Sequence, residues 1–392
     1  MRRLSRLVSL VLVVVIALAV VRLAGMGPGA SVAPAADAAA PSGATAVTAV
    51  PAVTTTTAAK ATRTAARTTT FAVFGDVNLS GSDTPPAVFG SVCAGIRRTG
   101  ARVALSPGDA LNDIADTSVT TAVGRWNKYL AAERAGLGGA IVTWRAGGDN
   151  DRLDVPARLS AWNQVFANYP RIPDPDRRWY AKKINGVHLI FLSTAYAGHM
   201  GYIGYVSERS TANSAEATWL VKRLRAVTAG RGRRTIVVVT HYPLINGKTN
   251  KPYAGSRRTE AAALRALFAK YGVDMVLTGD THVYRRTMVR VVRKGVRRGV
   301  PYIQIPPAAS APRAFGVGSI PALTSREAGW APPDAYRGFL KLRYKATKRK
   351  ISLSVFKVAV GDGTMSAAKD QKANANGLGG TFADIPEGSR LR

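Results

Sequence analysis

A layered α/β domain with strands buried in its centre is what this sequence predicts. Short β-branched apolar runs alternate with helical stretches, and several of those runs deliver an Asp or a His just past their last residue. The block that holds them is flanked on both sides by segments poor in large side chains.

The composition supports a folded core. The chain has 392 residues, and 46% of them are hydrophobic, which excludes disorder throughout. Lys and Arg number 55 against 23 Asp and Glu, a formal net charge of +32. Such a charge implies affinity for polyanions and carries no information about fold. Cys93 is the one cysteine, which rules out an intrachain disulfide framework, a cysteine-based zinc cluster and a thiol redox pair.

At the N-terminus, Arg2, Arg3 and Arg6 precede an apolar run over residues 7–21 that Arg22 closes. A basic stretch followed by an apolar one of this length has the form of an export signal, with a small-residue cleavage site near Ala36-Asp37-Ala38. The run is short for a membrane span, which needs about 20 apolar residues, but extension to Met26 would supply the length. Residues 1–26 are therefore expected to be a signal peptide or an uncleaved anchor, and the protein secreted or held outside the cytoplasm on a membrane. Residues 27–70 are Ala, Thr, Pro, Val and Ser with almost no large side chains. They cannot bury enough surface to offset the entropy of ordering and read as a disordered linker. Residues 361–392, rich in Gly, Ala and Asn, read as a flexible tail.

Residues 71–360 form the dense block. Strands are expected at 71–74, 102–105, 140–144, 187–192, 235–239, 275–277 and 301–305, runs too short for helices and too apolar for exposed strands. Helices are expected at 86–98, 123–135, 156–168, 215–229 and 259–271, and a closing antiparallel pair at 339–344 and 351–358.

The chemistry collects where strands end. The first run leads into Gly75-Asp76-Val77-Asn78, the second into Pro107-Gly108-Asp109, and the third into Gly147-Gly148-Asp149-Asn150-Asp151. Two later runs end in Thr240-His241 and in Thr278-Gly279-Asp280-Thr281-His282. Ligands of open α/β sheets bind beyond the carboxyl ends of the strands. Carboxylates and imidazoles converging there suit a hard or borderline divalent cation, and a pair of cations can clamp and hydrolyse a phosphate ester. A lone Gly-Asp after a strand is an ordinary turn. The ordered series carries the signal.

In that order, these motifs resemble the calcineurin-like metallophosphoesterases, the superfamily that includes the purple acid phosphatases. The segment from Gly279 to Arg286 is similar to the purple acid phosphatase form of the last motif. The resemblance covers roughly residues 71–358 and implies a four-layer α/β/β/α sandwich. It places a first metal between Asp76, Asp109 and His282, with Asn78 or Asn112 as a further ligand. A second metal falls to Asp109, Asp149, His241 and Asp280, with Asp109 bridging. A bridging hydroxide would then attack phosphorus in a monoester or diester. The departures matter too. Asn78 stands where many members have His, Asp149 where the family has Asn, and Asp280 where it has His. Asn112 stands at the position of the tyrosine ligand of purple acid phosphatases. The added carboxylates favour Mn²⁺, Fe or Mg²⁺ over zinc. Asn150 replaces the His that assists the leaving group, so acid catalysis worth roughly 10²–10⁴-fold lacks its usual donor. His199, in Ala197-Gly198-His199-Met200, is a candidate substitute.

Other residues carry less. His188 sits within an apolar strand and reads as structural. Lys248 and Lys251 follow His241 in a loop, where a cation could grip phosphate. Basic clusters at Arg285-Arg286, Arg293-Lys294, Arg297-Arg298 and 345–350 suit an anionic cell envelope. Binding to nucleic acid has no supporting motif. The expectation is a monomeric, exported phosphoesterase, with a non-catalytic binder of metal or phosphorylated polymer, or an exported nuclease, as the alternatives.

Overall fold

The computed structural model describes residues 68–372, except 81–85, 113–117, 170–176, 194, 197–198, 201–202, 231–233, 246–256, 294–295, 313–326, 330–335, 359–364 and 368–370. All of them belong to one unit, Thr62–Arg392. The first sheet is built from β1 (Thr68–Val73), β2 (Val103–Ser106), β3 (Val142–Arg145), β13 (Gly338–Lys345), β14 (Lys350–Val358) and β15 (Met365–Ala367), in the order β15-β14-β13-β1-β2-β3. The second holds β4 (Tyr180–Ile184), β5 (Val187–Phe191), β8 (Thr235–Val239), β9 (Met275–Thr278), β10 (Arg285–Arg293), β11 (Val296–Gln304), β12 (Glu327–Gly329) and β16 (Gln371–Lys372). Their order is β16-β12-β10-β11-β9-β8-β5-β4. A small hairpin pairs β6 (Ala195–Tyr196) with β7 (His199–Met200).

Side-chain alternation produces the layers. Strand neighbours point to opposite faces, and β8 shows the consequence. Val237 and Val239 join one apolar core with the first sheet, whereas Ile236 and Val238 join a second core on the outer face. Leu189 and Phe191 divide from Ile190 in the same way in β5, and Met275 and Leu277 from Val276 in β9. Three helices, α1 (Ala87–Arg98), α2 (Val119–Leu137) and α3 (Pro156–Val165), pack into the first core. Two more, α4 (Ala215–Thr228) and α5 (Arg257–Tyr271), cover the second. The result is helices, sheet, sheet and helices, the four-layer sandwich that the sequence leads one to expect.

Local signals explain the helices. Ser118 and Ser214 accept hydrogen bonds from Thr121 N and Ala217 N, capping α2 and α4. Gly138 ends α2 with φ 67°. Ala217, Leu220, Val221, Leu224 and Val227 give α4 one buried face. Cys93 is buried in α1.

What positions the site is strand direction. β1, β2 and β3 are mutually parallel, as are β5, β8 and β9. Their carboxyl ends therefore meet at one edge of the molecule. Backbone bonds stitch the sheets together there: Ala308 N donates to Gly75 O at 2.8 Å, and Ser310 N to Asp76 O at 3.1 Å.

Candidate metal centre

Each strand of this edge delivers its functional side chain through a sharp turn. Asp76, Asn78, Asp109, Asp280 and His282 all hold left-handed backbone, with φ of 52°, 50°, 56°, 70° and 55°. Asp, Asn and His tolerate this region better than other side chains, yet a non-glycine residue there still costs roughly 1–2 kcal/mol. Strain of this kind gathered in one place marks a functional site. Gly108, with φ 122°, is held more tightly still: a Cβ there would stand 2.5 Å from Gly148 N. The turns after β2 and β3 are thus in backbone contact, and only glycine permits it.

The donors converge. Asp76, Asp109 and His241 each offer a ligand atom, all within 4.8 Å of one another, and so do Asp149, His241 and Asp280. His241 Nε2 lies 2.9 Å from Asp149 Oδ1 and 3.3 Å from Asp109 Oδ1. Its Nδ1 is 3.2 Å from the Pro107 carbonyl. A carbonyl oxygen only accepts, so that bond puts a proton on Nδ1 and turns Nε2 toward the carboxylates.

The remaining bonds hold the carboxylates in place. Asp280 N donates to Asp76 Oδ1 at 2.9 Å, and Tyr242 Oη donates to Asp149 Oδ2 at 3.0 Å. Asn150 donates twice to Asp109, from its backbone N to Oδ1 at 3.0 Å and from Nδ2 to Oδ2 at 2.6 Å. The same Nδ2 reaches Asn78 Oδ1 at 3.1 Å.

The electrostatics call for positive charge. Burial raises the Asp109 carboxyl to about 7, an effect that the His241 charge moderates and Asp149 and Asp151 reinforce. Burial likewise pushes Asp76 well up, with His241 opposing it and Asp109 adding to it. Burial works against ionised Asp149 too, but its contact with His241 and the Tyr242 hydroxyl bring it down to about 2. Burial disfavours a charged His241, yet Asp109 and Asp149 outweigh it and hold the ring well above the usual histidine range.

A divalent cation fits this donor set. Asp76 is fully buried and its Oδ2 has no hydrogen-bond partner among the described residues. An ionised carboxylate oxygen in that state is costly unless something cationic lies beside it. His241 Nε2, facing oxygens from two carboxylates, must carry a second proton or share a cation with them.

Among the sequence candidates, Asp76, Asp109, Asp149, His241 and Asp280 come together as cation donors. The two donor groups overlap at His241, whereas the resemblance implied overlap at Asp109. Asn78 and His282 sit beside them as a separate pair: Asn78 Nδ2 is 3.3 Å from His282 Nε2 and donates to Ser310 Oγ at 2.7 Å. His282 Nδ1 faces the Ala311 carbonyl at 3.2 Å, which aims Nε2 at the Asn78 amide. Asn150 lies in the site as a double donor. His199 falls in β7, where only the backbone is described, and Lys248 and Lys251 lie outside the described residues.

Sequence reasoning missed the groups that brace the ligands. Asp151, 1% exposed, accepts from Asp109 N, Ala110 N, Leu111 N and Gly148 N at 2.9–3.0 Å. It ties the turn after β2 to the turn after β3. Its place in the Gly-Gly-Asp-Asn-Asp run was the available signal. Arg158, also buried, donates to Asn150 O at 2.8 Å and Asn112 O at 3.1 Å, and nothing in its helical context announces this.

No family model matches the chain. Solved structures do. It superimposes on a purple acid phosphatase isolated from yellow lupin (Lupinus luteus) seeds with a TM-score of 0.55 and 15% identity, over 77% of this chain and 53% of that one. A protein named PhoD gives a TM-score of 0.55 and 11% identity, over 83% of this chain and 72% of that one. The chain spans about half the length of the lupin protein. At such identities the likeness is one of fold.

Proposed function

We propose that this chain, which has the calcineurin-like metallophosphoesterase fold, is a metal-dependent hydrolase of phosphate monoesters or diesters. The observation that carries this reading is the convergence of Asp76, Asp109, Asp149, His241 and Asp280 at one sheet edge, three of them (Asp76, Asp109 and Asp280) on left-handed backbone. These five residues would hold two cations. The oxygen-rich set favours Mn²⁺, Fe or Mg²⁺ over zinc. Divalent cations supply Lewis-acid polarisation of a phosphoryl group and the acidification of water.

The protein's own part is to hold charge and geometry. Asp109 is held by both Asn150 donors, Asp149 by the Tyr242 hydroxyl, and His241 by Pro107, so these three side chains are oriented by protein contacts of their own. Asn150 holds its protons on an amide and gives none to a departing alkoxide. Substrates with acidic leaving groups suit such a site. The same feature favours a second reading, a member that binds phosphate without turning it over.

The N-terminal basic and apolar run supports an exported or membrane-tethered location. Metal analysis of the full chain, paired with assays on p-nitrophenyl phosphate and bis(p-nitrophenyl) phosphate, tests the catalytic reading. Two equivalents of metal with hydrolysis of either ester is the expected result. Bound metal with no turnover selects the second reading, and absence of stoichiometric metal overturns both.

A further inference from the structure

The edge of the molecule opposite the metal centre is strongly cationic. Lys183 lies in the last two residues of β4 at this edge, Arg234 precedes β8, and Arg343, Lys345, Lys348 and Arg349 cluster around the β13–β14 turn; all of these side chains are exposed. The Tyr344 hydroxyl binds them into one surface. It meets Thr235 Oγ1 at 3.2 Å and lies 3.7 Å from where a Gly186 Cβ would stand. The β13–β14 turn therefore packs directly against the starts of β5 and β8. The field of these cations is felt inside the fold: His188 is pushed down to about 4, by burial first and then by Lys183, Arg223 and Arg234. The acid at the start of β9, Asp274, offers little relief, because it is buried on the Ile236 amide.

We propose that this edge docks on an anionic lipid bilayer. Three observations favour a membrane over other polyanions. The cations stand at the ends of separate strands and present a broad edge to a surface. Tyr344, the ring at their centre, is buried and offers no face for stacking bases. Thr68, where the chain enters β1, is the register partner of Lys345, so the polypeptide arrives at this same edge from a sequence that includes the apolar run 7–21. From Thr68 to Asp76 the extended chain covers roughly 25 Å. Docking through Lys345, Lys348 and Arg349 leaves the metal centre facing away from the bilayer, well beyond a Debye length of about 8 Å.

The test is co-sedimentation of the full chain with phosphatidylcholine vesicles with and without phosphatidylglycerol, over a salt series. The triple variant K345Q/K348Q/R349Q removes three charges from the edge. The control K128Q/R209Q/K222Q removes three exposed charges elsewhere. At about fivefold per basic residue near an anionic surface, the edge variant should bind phosphatidylglycerol vesicles on the order of 10²-fold more weakly. The control should change little, and K345R/K348R/R349K should bind as wild type does. Far-UV circular dichroism and melting identify any variant that fails to fold, and the single variant Lys348→Gln then carries the comparison. Equal weakening by both triple variants would reduce the effect to bulk charge. Binding independent of phosphatidylglycerol, or tighter binding to duplex DNA at matched salt, would overturn the lipid assignment.

Discussion

The Asn150 side-chain amide donates to Asp109 Oδ2 at 2.6 Å, at the place where the sequence resemblance expects a proton-donating histidine. Asp109 thereby gains a fixed orientation, and the site loses a group able to exchange protons at neutral pH.

Asn150→His should restore acid assistance. Turnover of esters with poor leaving groups, such as alkyl phosphates, should rise within the roughly 10²–10⁴-fold range of general-acid catalysis. Nitrophenyl esters should gain little. Steady-state rates on matched alkyl and aryl phosphates read the difference, and equal gains on both would show that Asn150 does not limit proton delivery.

Asp109→Asn should abolish hydrolysis and reduce bound metal. Asp109 faces His241 and lies in a cluster with Asp76. The increase in melting temperature that Mn²⁺ gives the wild type should disappear in this variant. A variant that keeps full metal content would remove Asp109 from the ligand set.

Asp151→Ala should destabilise the protein by about 3–5 kcal/mol in urea unfolding. It strands the buried N–H groups of Asp109, Ala110, Leu111 and Gly148, each worth about 1–3 kcal/mol when unsatisfied, with partial relief from water. Asp151→Asn should cost less, because it keeps one acceptor oxygen. Activity should fall with either change, since Asp109 rides on the turn that Asp151 holds.

Stability of the metal-free protein should fall as pH rises from 5 to 8. Asp109 is raised to about 7 in the folded state, chiefly by burial, so between its unfolded value near 4 and pH 7 the native form holds the extra proton. His241 is raised by Asp109 and Asp149 against the opposing effect of burial. Its contribution is fully present below pH 6.5 and is lost as pH climbs through the folded value. Both groups act with the same sign. Asp149, lowered to about 2 by the His241 contact against burial, contributes above its unfolded value and is lost only as pH falls toward 2. Thermal melts in chelator at pH 5, 6.5 and 8 should show the decline. Saturating Mn²⁺ should flatten or reverse it, because metal competes with those protons.

The elements that carry the candidate site were legible in the amino-acid pattern. The apolar runs leading into Asp76, Asp109, Asp149, His241 and Asp280 are strands in the structure, because β-branched stretches of that length bury well only as strands between helices. The amphipathic helices and the final antiparallel pair were legible for the same local reason. β4 was not: Tyr-Ala-Lys-Lys-Ile has no apolar run, and this sheet-edge strand is ordered by its pairing with β5. β10 was hidden in the same way, with four arginines in nine residues, and it exists through its ladder with β11. How the turns meet was settled by packing between elements distant in the chain. Asp151 lies 40–42 positions from the N–H groups of the turn after β2, and Asn150 is 72 positions from Asn78. Composition and periodicity report a residue's immediate neighbours along the chain. Hydrogen bonds across such separations arise here because parallel strands bring their carboxyl ends to one edge, and that edge is where the braces of the candidate metal centre are made.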